Sequence, residues 1–293
     1  MAKSASLHVA VIGGGKIGEA LLSGLLKSKF ISHDSVAVTT AHGETALAVG
    51  RRLGVKAHTD NLAAVRQARV VIIATKPKQL PAVCASIRGK VGKGALVISL
   101  ATGVSTQSIE AGLGGRVAVV RAMPNTPIAI GMGMTVLCRG RYATEAQLEL
   151  TNRIFSTVGQ VATVDEELMN ASTGLSASGP AYVFVIIESL AEAGVKVGLP
   201  RELATRLAAQ AVLGAAAMVL ESGKHPALLK DSVTTPAGVT IDGLMELEQG
   251  GIRVALIKAI MMSTKRAAEI QAAITVPTRR NQRTQRPKRS VNK

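Results

Sequence analysis

Between Leu7 and about Thr163, short runs of Val, Ile and Ala alternate with stretches whose apolar residues recur every three or four positions. Runs of the first kind suit strands buried on both faces, and the second suit helices lying against them, so the pattern predicts a doubly wound parallel sheet. The strands it marks are His8 to Ile12, Ser35 to Thr39, Val70 to Ala74, Leu96 to Ser99, Val117 to Ala122 and Thr135 to Cys138. Between the first two, Ile17, Ala20, Leu21, Leu25 and Leu26 share one face of a helix over Lys16 to Ser28. After Glu166 no strand pattern recurs, and Pro180 to Val195, Arg201 to Ser222 and Ile252 to Ala273 read as helices. The fold class is therefore α/β: an N-terminal Rossmann-type sheet over residues 1–165, followed by an all-helical domain over 166–274.

Several of these helices are apolar on most sides, notably Ala208 to Leu220. A small domain has too little surface of its own to cover them, so they are expected to pack against a partner subunit, the alternative being a purely internal core of a large domain.

Composition sharpens this picture. With 47% hydrophobic and only 2% aromatic residues, the core is filled by aliphatic side chains and offers few stacking platforms for bases. The net charge is +16, but seven of the positive charges lie between Thr275 and Lys293, where there is no acid. That segment, with Pro277 and Pro287, reads as a disordered basic tail: either a solubilising or nonessential extension or an electrostatic tether to RNA, DNA or an anionic membrane. Nucleic acid is not the expected partner of the folded part. Cys84 and Cys138 stand apart from each other and from any His at metal-ligand spacing, which fits a reducing, cytoplasmic setting and no metal. The run Val9 to Ile12 is too short for a signal peptide or membrane span, and Glu188 and Gln210 interrupt later apolar runs, so no membrane segment is expected.

The turn after the first strand reads Gly13-Gly14-Gly15-Lys16-Ile17-Gly18, placing Gly13, Gly15 and Gly18 at dinucleotide-binding spacing between a strand and a helix. The first glycine permits the turn, the second lets a pyrophosphate approach the backbone, and the third lets helix and strand meet closely. The second strand ends in Thr39, Thr40, Ala41, His42, with no carboxylate to hold a ribose 2′-hydroxyl or repel a 2′-phosphate. This favours NADPH, although the threonines also suit a strand terminus. Loops at the carboxyl ends of the third and fourth strands add Ala74, Lys76 and Pro77, and Ala101 and Thr102; Lys76 is a phosphate or ribose contact or else a solvated loop lysine. Asn61 completes the candidate cofactor set.

Three further segments carry a resemblance: Met123-Pro124-Asn125-Thr126-Pro127, Leu175-Ser176-Ala177-Ser178-Gly179-Pro180-Ala181-Tyr182, and Asp231 to Thr240 (DSVTTPAGVT). With the glycine turn, they resemble the signature segments of pyrroline-5-carboxylate reductases, in order and spacing, from about Val9 to Ile270. Ala177 and Ala237 stand where that family commonly has glycine, and Val239 where it has a small or hydroxylated residue.

The resemblance implies hydride transfer from NADPH, or else NADH, to a cyclic imine, giving proline in amino-acid biosynthesis. It implies substrate contacts at Glu166, Ser178, Thr235, Gly238, Val239 and Thr240, with Thr240 catalytic. It further implies a helix-swapped homodimer, often joined into a ring of dimers. On the residues alone, Thr235 and Pro236 also suit a helix cap, and Ser178-Gly179-Pro180 a chain break. Two other functions compete. One is a related imine or β-hydroxyacid reductase, disfavoured because only Lys196 stands near the helix that would carry a catalytic lysine. The other is a nucleotide- or nucleic-acid-binding module using the basic tail.

Overall fold

The computed structural model describes residues 7–274, so the predicted tail lies outside the described residues. Eight strands form one sheet: β1 Val9–Ile12, β2 Val36–Thr39, β3 Lys56–His58, β4 Val70–Ile73, β5 Leu96–Ser99, β6 Ala118–Pro124, β7 Gly133–Arg139 and β8 Gly159–Thr163, in the order β3-β2-β1-β4-β5-β6-β7-β8. All neighbours are parallel except β6 and β7, which run antiparallel in the register Arg121↔Cys138.

Around the sheet stand helices α1 Lys16–Lys27, α2 Gly43–Leu53, α3 Asn61–Val65, α4 Leu80–Ile87, α5 Thr106–Leu113, α6 Glu145–Ser156 and α7 Met169–Ser172. Strand alternation sends Val9, Val11, Ile72 and Ile98 to one face, against Leu21, Leu22 and Leu25 of α1 and Phe155 of α6. Ala10, Ile12, Ile73 and Val97 go to the other, against Val65, Leu80, Ile87 and Ile109. Each such fully buried aliphatic side chain is worth about 1.5–3 kcal/mol, so both layers are firmly held.

Six strands were expected and are present with ends shifted by one or two residues; β3 and β8 were not foreseen. Both are edge strands with mixed exposure, Lys56–His58 and Gly159–Thr163, so neither carries the apolar run of a doubly covered strand. Strand β6 runs on to Pro124, where a residue without an amide hydrogen is tolerated at the end of a ladder.

The second half is helical, as expected: α8 Gly179–Lys196, α9 Arg201–Ser222, α10 Pro226–Ser232, α11 Val239–Gln249 and α12 Ile252–Ala273. A π-helical turn, Thr173–Ala177, precedes α8.

Two compact units result. One comprises the sheet, the segment up to Ala177 and the chain from Ser263; the other is Ser178–Met262. In the helical unit α8 and α9 pack closely, and a Cβ on Gly194 would lie 2.9 Å from the Cβ of Ala204. Only Ala191, Ala204 and Ala208 are buried there, while Phe184 is 63% exposed and Leu213, Leu220, Met245 and Ile257 are also open. The interruptions at Glu188 and Gln210 still leave two helical stretches, Glu166–Lys196 and Arg201–Ser222, that are long and apolar enough to cross a membrane by length and composition only.

Candidate active site

The glycine turn is shaped as its spacing predicts. Gly13 has φ +106°, and a Cβ there would lie 2.7 Å from the Ala74 carbonyl oxygen. Gly18 is buried, and a Cβ on it would lie 2.5 Å from the Gly13 oxygen. Between them Gly15, the N-cap of α1, has nothing within 4 Å of its Cβ position and no side chain capping it. The first amides of α1 therefore face open space, the arrangement that receives a pyrophosphate.

A cleft of about 860 Å³ opens over this turn. Of the candidate cofactor residues, Gly13, Gly15, Thr39, Thr40, Asn61, Ala74 and Lys76 line it. Lys16, Ile17, Gly18, Pro77, Ala101 and Thr102 do not: Gly18 and Ala101 are buried, and Lys16 points into solvent at the start of α1. Thr39, fully buried, donates from Oγ1 to Asn61 Oδ1 at 2.6 Å, and Thr40 Oγ1 donates to the His42 carbonyl at 2.8 Å. Thr39 thus fixes Asn61 at the cleft wall. Lys78, absent from the sequence reading, joins Lys76 there, and among the described residues the lining holds no carboxylate. The residues present fit a dinucleotide carrying an additional phosphate on its ribose.

The signature segments are joined in part. Asn125, at the end of β6, accepts from the Met134 amide at 2.8 Å and donates through Nδ2 to the Ser176 carbonyl at 3.3 Å. It therefore ties the first segment to the π-helical turn of the second.

Glu166 sits at the heart of a charged cluster that sequence reasoning missed. Its Oε1 takes Arg121 Nη1 at 2.6 Å, and its Oε2 takes the Thr106 amide at 2.9 Å and the Thr106 hydroxyl at 2.7 Å. Burial alone would raise the Glu166 pKa, but the Thr106 hydrogen bonds and the Arg121 charge outweigh it and hold the carboxyl below its ordinary value. Arg121 is 0% exposed. A cation in the otherwise apolar run VAVVRAMP was the available signal, because a buried charge needs a partner. Burial pushes the Cys138 thiol up to about 12, helped by neighbouring Glu166, and burial does the same at Cys84; neither is poised as a nucleophile.

Ser178, Thr235, Gly238, Val239 and Thr240 belong to the helical unit. Gly238 is the N-cap of α11 without a side-chain cap, and its amide donates to the Thr235 carbonyl at 3.0 Å. A Cβ on Gly238 would collide with Thr235 Oγ1. Ala237 adopts φ +56°, a left-handed conformation that costs a residue with a Cβ about 1 kcal/mol or more. The loop therefore opens onto the N-terminus of an eleven-residue helix, with Val239 89% exposed and Thr240 partly so.

Comparison with known proteins agrees with this layout. Residues 8–103 match a family described as NADP oxidoreductase, coenzyme F420-dependent, and residues 166–270 match pyrroline-5-carboxylate reductase dimerisation. A pyrroline-5-carboxylate reductase from Synechocystis is 42% identical over 90% of this chain and 98% of its own, and one from Arabidopsis thaliana is 38% identical over 90% and 96%. Among solved structures, the pyrroline-5-carboxylate reductase from Coxiella burnetii has a TM-score of 0.84 at 36% identity, covering 90% of this chain and 98% of its own. The Plasmodium falciparum enzyme, with NADP bound, has a TM-score of 0.83 at 27% identity over 90% and 98%. On relatives this similar over nearly their whole length, the chain belongs to the pyrroline-5-carboxylate reductase family.

Proposed function

We propose that this protein is an NADPH-dependent oxidoreductase that reduces 1-pyrroline-5-carboxylate to proline, the last step of proline biosynthesis. The observation that carries the reading is the glycine turn, whose Gly15 leaves the first amides of α1 open beneath a cleft lined by Lys76 and Lys78 and by no carboxylate. Those amides and lysines would hold the phosphates, and Asn61 and Thr40 the adenosine ribose. When bound, the reduced nicotinamide supplies the hydride for the C=N carbon.

The loop before α11 supplies the second grip. The first-turn amides of α11, which no side chain caps, suit the substrate carboxylate, with Gly238 granting close approach, and the Thr240 hydroxyl would hydrogen-bond the ring nitrogen. Such chemistry needs two oriented reactants rather than a protein nucleophile. Ser178, Thr235 and Val239 complete the proposed substrate surround.

The exposed apolar faces of α8, α9 and α12 fall within the family's dimerisation match and are assigned to a homodimer. Assembly of dimers into a ring, residues 166–274 acting as one substrate-binding and dimerisation domain, and a cytoplasmic setting extend the same reading.

The test follows the reduced-nicotinamide band: its loss when NADPH or NADH is mixed with pyrroline-5-carboxylate or its six-membered homologue, and its appearance when NADP+ or NAD+ is mixed with a β-hydroxyacid. Turnover with the five-membered imine, faster with NADPH, is expected. No turnover with that imine, or faster turnover with a hydroxyacid, overturns the reading.

A further inference from the structure

We propose that Arg121 and Glu166 are positioning residues for hydride transfer, acting through the loop between β5 and α5 rather than by touching substrate. This rests on the functional reading above, in which the Ala101–Thr102 segment, at the carboxyl end of β5 and beyond the residues that line the cleft, is taken as the nicotinamide neighbour.

The Glu166 carboxylate is already engaged inside the sheet unit. It receives three strong bonds, from Arg121 Nη1 and twice from Thr106, and Cys138 Sγ lies 3.7 Å from its Oε2. A carboxylate has about four acceptor positions, so little remains for a substrate iminium. What these bonds hold is Thr106, the first residue of α5 and the exit of the loop.

The entry is fixed too, since the Leu100 amide donates to the Ile73 carbonyl at 2.9 Å. In the middle, Thr102 Oγ1 reaches Met123 Sδ at 3.8 Å, and Gly103, at φ +67°, would place a Cβ 2.8 Å from Ile270 Cγ2. The loop is held at entry, middle and exit, and at the exit Thr106 bonds to a carboxylate that is itself paired with Arg121.

Arg121 strengthens the case. Its side chain is wholly buried, its Nε and Nη2 have no hydrogen-bond partner among the described residues, and Glu166 is its ion-pair partner there. The guanidinium therefore keeps Glu166 charged and in place, and Glu166 keeps the loop in place. Reacting atoms displaced by about 1 Å cost on the order of 100-fold in rate, so a loosened exit should appear in turnover rather than in binding.

The experiment uses full-length Glu166→Gln, Arg121→Lys and Thr106→Val, the last removing only the hydroxyl bond and keeping the amide bond. For each, kcat and KM, the NADPH dissociation constant from fluorescence quenching, the thermal midpoint, and the primary isotope effect with NADPH deuterated at the transferred position are measured. Glu166→Gln is expected to lose about 30- to 100-fold in kcat, with a larger isotope effect and NADPH binding within about threefold of wild type. Thr106→Val should move the same way by about fivefold, and Arg121→Lys should fall between, because it keeps the charge. A purely structural clamp would lower the thermal midpoint and leave kcat per folded site and the isotope effect unchanged. That result in Thr106→Val, or in a folded Glu166→Gln, beside an active wild type, overturns this proposal alone; an inactive wild type overturns the functional reading as well.

Discussion

The sheet unit and the helical unit solve the same burial problem in opposite ways. The first covers both faces of its sheet with its own helices and hides even an arginine; the second leaves Phe184, Leu213, Leu220 and Ile257 open and buries three alanines. One domain is finished by its own sequence, and the other is written for a partner. A helix apolar all round is stable only when something covers it, and these helices fall within the dimerisation match over residues 166–270.

The largest expected effect breaks the self-sufficient side. In Gly18→Val the side chain is forced against the Gly13 oxygen and Ala74, beneath the turn that carries the cofactor. Overpacking there costs about 1–3 kcal/mol or more, and NADPH affinity measured by fluorescence titration should fall at least 100-fold. Wild-type affinity would show that the turn is not the cofactor site.

Next comes the unfinished side. Were the helical faces ordinary surface, Phe184→Glu with Ile257→Glu would change stability by about 0.5 kcal/mol or less. As an interface they should convert the dimer to monomer in sedimentation velocity, with the dissociation constant rising by about 30-fold or more, as for truncated interface anchors of about 2 kcal/mol or more. An unchanged sedimentation coefficient refutes the assignment.

A third test returns to the sheet unit and to pH. Glu166 is held below its ordinary value by Thr106 and Arg121, so its folded pKa lies below its unfolded one. Its contribution is therefore complete above about pH 4.3, the ordinary glutamate value, and is lost as pH falls through the lowered folded value. The gap in thermal midpoint between wild type and Glu166→Gln should be constant at neutral pH and shrink below about pH 4. A gap that widens in acid would contradict the assigned direction.

The smallest effect concerns Ala237. Replacing it with glycine relieves its left-handed strain while restoring unfolded-chain entropy worth about 0.4–1 kcal/mol. Stability should change by less than about 1 kcal/mol and the imine KM by less than about threefold; a large loss would mean that the Ala237 methyl group contributes directly to the pocket.

Legibility in the sequence followed physics that acts locally. The glycine turn was readable because each glycine answers a steric demand at fixed spacing, and six strands were readable because burial on both faces makes them continuously apolar. Edge strands β3 and β8, paired on one side and half-exposed, leave no such trace. The Glu166 cluster was half-legible: the family resemblance pointed to Glu166, while its partners lie 45 and 60 positions away and are brought near only by the sheet. The helices announced their need for cover, and interrupting polar residues proved too sparse to make them less apolar.

The chain leaves the sheet unit at Ser178 and rejoins it from Ser263, where Asn170 Nδ2 donates to Gln271 Oε1 at 2.6 Å and Ile270 abuts Gly103. The helical unit is thus an insertion, anchored at departure and at return. A protease that nicks one connection would not release it, and a gene shortened to end before Ile270 would damage not a dispensable terminus but the packing of the loop at the carboxyl end of β5, the edge of the sheet where ligands bind.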